Sequence, residues 1–315
     1  MPNLIPYRIF SGTSHPELAR EICKQLHVGL GKITLSRFAC GEIYINVEES
    51  VRGKEVFIVQ TSTSNINEDY MELFLLCDVM KRAFATKVHV ILPHFGYARQ
   101  DKIHEARETI SAKLMANLIV RSGADHVITL NLHSDQIMAF FDVPVDNLNS
   151  NRMLAAYIKK KNLKNAVVVS PDVGGAKNAK KFATALGFPL AILQKERPRH
   201  NMAEINNVIG DVSGKIPILF DDMIDTGGSV VSAKKALVKA GAKDEVYLVA
   251  THAIFSGHAP EKLREAKFKE VVVTNSTPIT PHKNFPELKV LSIAPLIADV
   301  IKSVVKQKSV SELYF

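Results

Sequence analysis

Residues 220–230 read Phe-Asp-Asp-Met-Ile-Asp-Thr-Gly-Gly-Ser-Val, a run that mixes carboxylates, hydroxyls and paired glycines. An apolar stretch, Ile216 to Phe220, precedes it, and a helix-like stretch, Val231 to Ala240, follows. The spacing places the run where a strand ends, a loop turns and a helix begins. A helix start presents backbone N–H groups and the positive end of a dipole, both of which suit a phosphate. Gly227 and Gly228 let the backbone approach phosphate oxygens, and Thr226 and Ser229 add hydroxyl donors. Asp221 and Asp222 would repel the same anion, so they need hydroxyl donors at the ligand's far end or a bridging divalent cation. A phosphate beside a vicinal diol describes a phosphorylated ribose. Acids that only cap a helix would explain less, because a cap rarely needs two adjacent glycines.

Other polar groups recur where apolar runs end, the edge at which open α/β sheets place ligands. Asn131-Leu-His133-Ser-Asp135, Ser170-Pro-Asp172-Val-Gly-Gly175 and Gln194-Lys195-Glu196-Arg197 are three such groups. His133 and Asp172 have the chemistry to serve, directly or through water, a Mg2+ ion carried by nucleotide phosphates. In Pro93-His-Phe-Gly-Tyr-Ala-Arg-Gln-Asp-Lys102, Phe95 and Tyr97 would stack or pack, while Arg99 and Lys102 would pair with phosphates. Signatures that would redirect the reading are missing. Gly174-Gly-Ala-Lys177 has the wrong spacing for a P-loop, and Gly29-Leu-Gly31 lacks the third glycine of a dinucleotide fingerprint.

The elements that must hold these groups alternate short β-rich runs with longer amphipathic stretches, which predicts α/β architecture with mainly parallel sheets flanked by helices. Strands are expected at 7–10, 55–60, 87–92, 126–131, 166–170, 189–193, 216–220, 245–251, 270–274 and 289–292. Helices are expected at 16–26, 70–83, 110–122, 151–160, 177–186, 231–240, 260–266 and 294–306. A boundary near residue 147 gives domains of 1–147 and 148–315, the last residues packing back on the first. Ser122–His133 resembles Ala240–His252, each running from a helix end through Gly to a strand and a His, which hints at duplication.

At 315 residues the chain is long enough for two cores, and 46% hydrophobic with 23% charged residues is the balance of a globular protein. No apolar run nears the roughly 18 residues that cross a bilayer, so no membrane partner is expected. Three cysteines without Cys-x-x-Cys spacing imply neither a disulfide framework nor a zinc site, and a cytoplasmic location is expected. The net charge of +8 comes from dispersed lysines, which fits a pocket that gathers phosphates better than a nucleic-acid surface.

Taken in order, Phe10-Ser-Gly-Thr-Ser-His15, Phe95-Gly-Tyr-Ala-Arg-Gln-Asp101, Ser170-Pro-Asp-Val-Gly-Gly175, Lys195-Glu-Arg197, Gly210-Asp-Val212, the acidic run and Ser309-Val-Ser311 resemble the ribose-phosphate diphosphokinase family over nearly the full length. The resemblance implies two phosphoribosyltransferase-like domains and transfer of the diphosphate group of MgATP to the 1-hydroxyl of ribose 5-phosphate. It implies self-association, usually as a hexamer, with the ATP site shared between neighbours. By position, Phe38, Cys40 and Glu42 would meet the adenine, with Arg99 and Gln100 alongside. His133 and Asp172 would serve Mg2+, and Lys195 and Arg197 would be the catalytic pair on a mobile loop. Asp221, Asp222, Asp225, Thr226, Gly227, Gly228 and Ser229 would hold ribose 5-phosphate. Ser50, Arg52, Ser309 and Ser311 would form an allosteric site for inorganic phosphate and ADP. Cys40 stands where the family usually has Asp or Asn, and a thiol is a weak hydrogen-bond partner. A non-catalytic regulatory homologue and a phosphoribosyltransferase are the competing readings.

Overall fold

The expected strands are short, rich in Val and Ile, and mostly apolar throughout, which is the composition of strands covered on both faces. The computed structural model of the chain describes residues 7–199 and 202–311, with 195–199 and 202–206 described by backbone alone. It is an α/β structure of two units. Among the described residues, one unit comprises 7–149, Ser276–Pro278 and 292–311, and the other Ser150–Asn275 and Ile279–Leu291.

The first unit runs β1 (Tyr7–Ser11), α1 (Pro16–Leu26), β2 (Ile33–Arg37), β3 (Ile43–Val47), β4 (Glu55–Val59), α2 (Ile66–Arg82), β5 (Lys87–Leu92), α3 (Ser111–Arg121), β6 (His126–Leu130) and β7 (Val145–Leu148). Its sheet has the order β1-β4-β5-β6-β7, parallel throughout, and β2 and β3 form a separate antiparallel hairpin. Helix α1 starts where His15 Nδ1 accepts the Leu18 N–H at 3.4 Å and Pro16 fits the first turn. The edge strand β1 is partly covered by the following segment, whose Gly31 N–H donates to Ile9 O at 2.7 Å. Gly31 comes so near that an added Cβ would stand 2.4 Å from the Phe10 ring.

The second unit runs α4 (Asn151–Lys159), β8 (Ala166–Ser170), α5 (Ala176–Leu186), β9 (Leu190–Arg199), β10 (Met202–Ile209), β11 (Ile216–Ile224), α6 (Gly228–Lys239), β12 (Tyr247–Ala253), α7 (Ala259–Glu265), β13 (Glu270–Thr274) and β14 (Leu288–Leu291). Its sheet order is β10-β9-β8-β11-β12-β13-β14, and only β10 runs antiparallel to its neighbour. The chain then returns to the first unit as α8 (Ala294–Val305), which packs on α1 and is tied to it by the Ser292 hydroxyl donating to Glu21.

Four strands were not expected from the sequence: β2, β3, β7 and β10. Each carries polar residues at alternate or adjacent positions and lies at a sheet margin or in a hairpin, so the apolar signal in the sequence is diluted. Strand β11 also runs past Phe220 to Ile224, because β12 keeps pairing with it as far as Ala253. Asp221 and Asp222 are therefore strand residues, and helix α6 begins at Gly228 rather than Val231.

The two sheets share one plan. Strands β1, β4, β5, β6 and β7 correspond in order to β8, β11, β12, β13 and β14, and Tyr7↔Glu55 in the first register matches Ala166↔Ile216 in the second. Backbone bonds outside the ladders repeat in step. Asp125 N–H donates to Val88 O as Lys269 does to Val246, Val127 to Pro144 as Val271 to Glu287, and Asn131 to Leu148 as Asn275 to Leu291. Counting along these registers, Thr13 corresponds to Asp172, Gln60 to Asp221, His94 to His252 and Asn131 to Asn275. The stretch pair noted in the sequence is corrected by this register: Ser122–His133 leads into β6 and Ala240–His252 into β12, which occupy different places in the plan. Their likeness is the ordinary helix–glycine–strand junction, with Gly123 and Gly241 at φ of 116° and 88°.

At the N-terminal ends of β4–β7 a histidine is buried without charge. His89 stacks on Phe57 at 4.4 Å, and its Nδ1 lies 3.0 Å from His126 Nδ1. Its Nε2 is 3.3 Å from Glu55 Oε2 but makes no hydrogen bond. Burial, then His126 and Lys87, push His89 from 6.5 down to about 3, against the weaker pull of Asp125 and Asp146. The unfolded chain therefore takes up a proton that the folded chain refuses. This contribution to stability is whole above about pH 6.5 and is lost as pH falls toward 3. In urea unfolding compared at about pH 7.5 and about pH 5, His89→Phe is expected to lose less stability on acidification than the wild type.

Candidate active site

Strand β8 pairs with β11 only as far as Leu219, while β12 continues beside β11 to Ile224. The neighbours of β8 and β11 diverge here, β8 leading to β9 on one side and β11 to β12 on the other. This is the switch point at which an open parallel sheet leaves a crevice beyond its strand ends. Asp221 and Asp222 lie on the part of β11 that outruns β8, and Asp172 follows β8 directly. Asp221 Oδ1 accepts the Asp222 N–H at 2.9 Å. Burial, then the Asp222 and Asp172 carboxylates, raise the Asp221 carboxyl well above its ordinary value. Three acids at one crevice repel one another and favour a partner bearing donors or positive charge.

Asp172 also shapes its own loop. Its Oδ1 accepts the Gly175 N–H at 2.8 Å, and its carbonyl accepts the Ser170 hydroxyl at 2.7 Å. Ser170 is fully buried, an anchor that the sequence reading did not separate from its neighbours, although a hydroxyl closing an all-apolar strand was the available signal.

Beyond β11, Asp225 O accepts the Ser256 N–H at 3.0 Å, and three residues later α6 begins at Gly228. Gly227 is the N-cap at φ 75°, a left-handed conformation that costs glycine little. No side chain caps this helix by a hydrogen bond, and its first turn carries no acid. Thr226, Gly228 and Ser229 are exposed around this start. An uncapped helix start with its dipole unopposed therefore stands close in sequence to a carboxylate pair that wants donors.

Lys195 and Arg197 lie on β9, where the sequence suggested a loop, because 202–209 supply a partner strand with Lys195 opposite Ile205. Their side chains lie outside the described residues, as do residues 200 and 201.

The remaining candidates belong to the first unit. Phe38, Cys40 and Glu42 are exposed at the tip of the β2–β3 hairpin, closed by the Phe38 N–H to Glu42 O at 2.9 Å and by Gly41 at φ 97°. Phe38 meets Tyr44 edge-on at 5.7 Å, and the two rings are 55% and 44% exposed, an aromatic surface open to a planar ligand. Arg99 and Gln100 are exposed beyond β5, held where the Ala112 N–H donates to Gln100 O at 3.2 Å. Phe95 packs rather than stacks, buried against Tyr70 and Phe141. His133 is exposed after β6. Ser50, Arg52, Ser309 and Ser311 are all exposed, with Arg52 lying 4.0 Å over the Phe84 ring and the Ser309 hydroxyl donating to Ser311 at 2.9 Å.

Two family profiles match the chain, one described as the N-terminal domain of ribose phosphate pyrophosphokinase over residues 7–123, the other as a phosphoribosyl synthetase-associated domain over residues 198–315. The ribose-phosphate pyrophosphokinase of Bacillus subtilis is 47% identical over 98% of this chain and 96% of its own length. That of Fusobacterium nucleatum is 45% identical over the whole of both chains. The chain belongs to the ribose-phosphate pyrophosphokinase family. The crystal structure of phosphoribosylpyrophosphate synthetase from Mycobacterium smegmatis superposes with a TM-score of 0.91 at 44% identity, covering 96% of this chain and 99% of the other.

In this pyrophosphokinase no group of three or more His, Cys, Asp or Glu among the described residues is gathered to hold a metal ion. A small hard cation that keeps its waters and binds through one or two carboxylates and substrate phosphates still fits the crevice, because it would relieve the repulsion among Asp172, Asp221 and Asp222. The raised Asp221 carboxyl also has a cost to folding. At pH above that raised value the folded state must hold the ionised carboxylate against its preference, a penalty absent below the ordinary value of 3.8. Asp221→Asn is expected to raise Tm at about pH 7 by roughly 2–4 °C, as about 1 kcal/mol does in a domain of this size, and to give no gain near pH 3.5. Scanning calorimetry at both pH values checks this.

Proposed function

We propose that the crevice at the end of β11 seats ribose 5-phosphate, and that the 1-hydroxyl of the sugar attacks the β-phosphorus of MgATP to give 5-phosphoribosyl 1-diphosphate and AMP. The observation that carries this reading is the pairing of two opposite binding surfaces on one segment. Asp221 and Asp222 accept hydrogen bonds from the ribose diol, while the uncapped start of α6, with Thr226, Gly228 and Ser229, takes the 5-phosphate and Asp225 completes the loop.

Diphosphate transfer needs alignment and charge neutralisation more than a covalent intermediate. Lys195 and Arg197 supply positive charge where the transferring group is most anionic. Phe38 offers its ring to the adenine, Glu42 and Cys40 lie at the same hairpin tip, and Arg99 and Gln100 come from the loop after β5. Asp172 and His133 are each proposed as partners of Mg2+. Mg2+ held there would supply charge neutralisation for the nucleotide phosphates. Exposed aromatic and apolar side chains such as Phe38, Met71 and Leu114 fit a protein that works as an assembly, here proposed as a hexamer in the cytoplasm. Inorganic phosphate and ADP are proposed as effectors acting at Ser50, Arg52, Ser309 and Ser311.

With the protein, MgATP and ribose 5-phosphate, AMP is expected only when the sugar is present. AMP without sugar, or none with it, would remove this reading. Lys195→Ala should lower kcat by roughly 10²–10³ with a smaller effect on sugar binding. Arg52→Ala should leave the reaction in place and blunt its response to phosphate and ADP; unchanged responses would detach effector control from this position.

A further inference from the structure

The first unit has its own switch point, between β1 and β4, and the register identifies what stands there. Thr13 occupies the place of Asp172, and Gln60 the place of Asp221. In the second unit these positions are acceptors. In the first, Thr13 and the Gln60 amide nitrogen donate to a carboxylate, while Gln60 Oε1 accepts the Ser14 hydroxyl at 2.6 Å. Glu72, from α2, receives the Thr13 N–H at 2.6 Å and the Gln60 amide at 2.9 Å on Oε1, and the Thr13 hydroxyl at 2.8 Å on Oε2. Gln60 is 0% and Glu72 4% exposed. The seal leaves no slack: a Cβ on Gly12 would meet Gln60 Oε1 at 2.2 Å and Glu72 Oε1 at 2.6 Å. A second acid of α2, Asp69, closes the loop before the helix by accepting the Thr63 N–H at 2.6 Å and its hydroxyl at 2.8 Å.

We propose that the first unit carries a second copy of the sugar-phosphate crevice, inverted in polarity and filled by the Glu72 carboxylate, so that it is a latent binding site for a small carboxylate. The correspondence with a sugar-phosphate crevice rests on the role proposed for Asp172 and Asp221; the occupancy by Glu72 stands on the first unit alone. Three donors converge on one buried carboxylate, and Gln60 is also held independently of it by Asp69 O at 3.0 Å and by the Ser14 hydroxyl at 2.6 Å. Thr13 is exposed, so the cavity left by truncation opens to solvent beside it.

Glu72→Ala deletes the atoms of one acetate beyond Cβ, and acetate is the probe. The variant should melt well below the wild type in chloride buffer. Acetate at matched ionic strength should recover at least half of the lost Tm, saturably, while acetamide should recover none. Glu72→Gln fills the cavity with a neutral amide and should melt lower than the wild type without responding to acetate. If Glu72→Ala does not fold in chloride, the same comparison is read as the yield of soluble protein refolded in acetate against chloride. Acetate no better than chloride in either measurement overturns the proposal, as does an equal acetate response in Glu72→Gln. AMP formation plays no part in these readouts, so failure of the reaction scheme and failure of this inference are separately visible.

Discussion

Carboxylates held close together at the end of a parallel strand are the constraint around which the second unit is organised. Asp221 is held where Asp222 and Asp172 oppose its charge, an arrangement that a fold selected only for stability would remove. It persists because β12 carries β11 past the end of β8, forcing the acids into the open side of the crevice. The helix that follows faces the opposite demand, with N–H groups and no capping side chain. The two surfaces are opposite in polarity, and the proposed ligand, with a diol at one end and a phosphate at the other, would suit both.

The fold class and the family were legible in the chain. The glycine pair, the flanking hydroxyls and the acids point to a sugar-phosphate chemistry, because those residue types have few other reasons to stand together. Strands with continuous apolar centres, residues 167–169 in β8 and 271–273 in β13, announced a covered parallel sheet. What escaped the sequence was geometry set by a neighbour. Nothing local says that Asp221 and Asp222 are strand rather than loop; that follows from the length of β12. Strands β2 and β3 alternate half-buried and exposed residues in only five positions each, too few for a period to stand out. The polar ring around Glu72 was invisible for a similar reason, since Thr13, Gln60 and Glu72 meet only when three separate segments are brought to one strand end.

The register gives the duplication a sharper form than sequence similarity could. Bonds such as Asn131 N–H to Leu148 O and Asn275 N–H to Leu291 O repeat because they fix the ends of strands, which any occupant of the fold needs. Side chains at matching places diverge: acids gather at the open strand end in one half, and donors surround an internal acid in the other. His94 and His252 lie between these extremes, both histidine and both buried, at matching positions next to crevices of opposite polarity.

A last consequence belongs to the Gly31 amide, which reaches across to the Ile9 carbonyl on the outermost strand of the first sheet. Bare strand margins recruit other chains, and a parallel sheet with one open border is prone to stacking into fibrils. By laying a bent, non-strand segment along that border, the molecule denies foreign polypeptides a continuous row of hydrogen-bonding groups. The lack of a side chain at Gly31 is what lets the guard sit close enough to work.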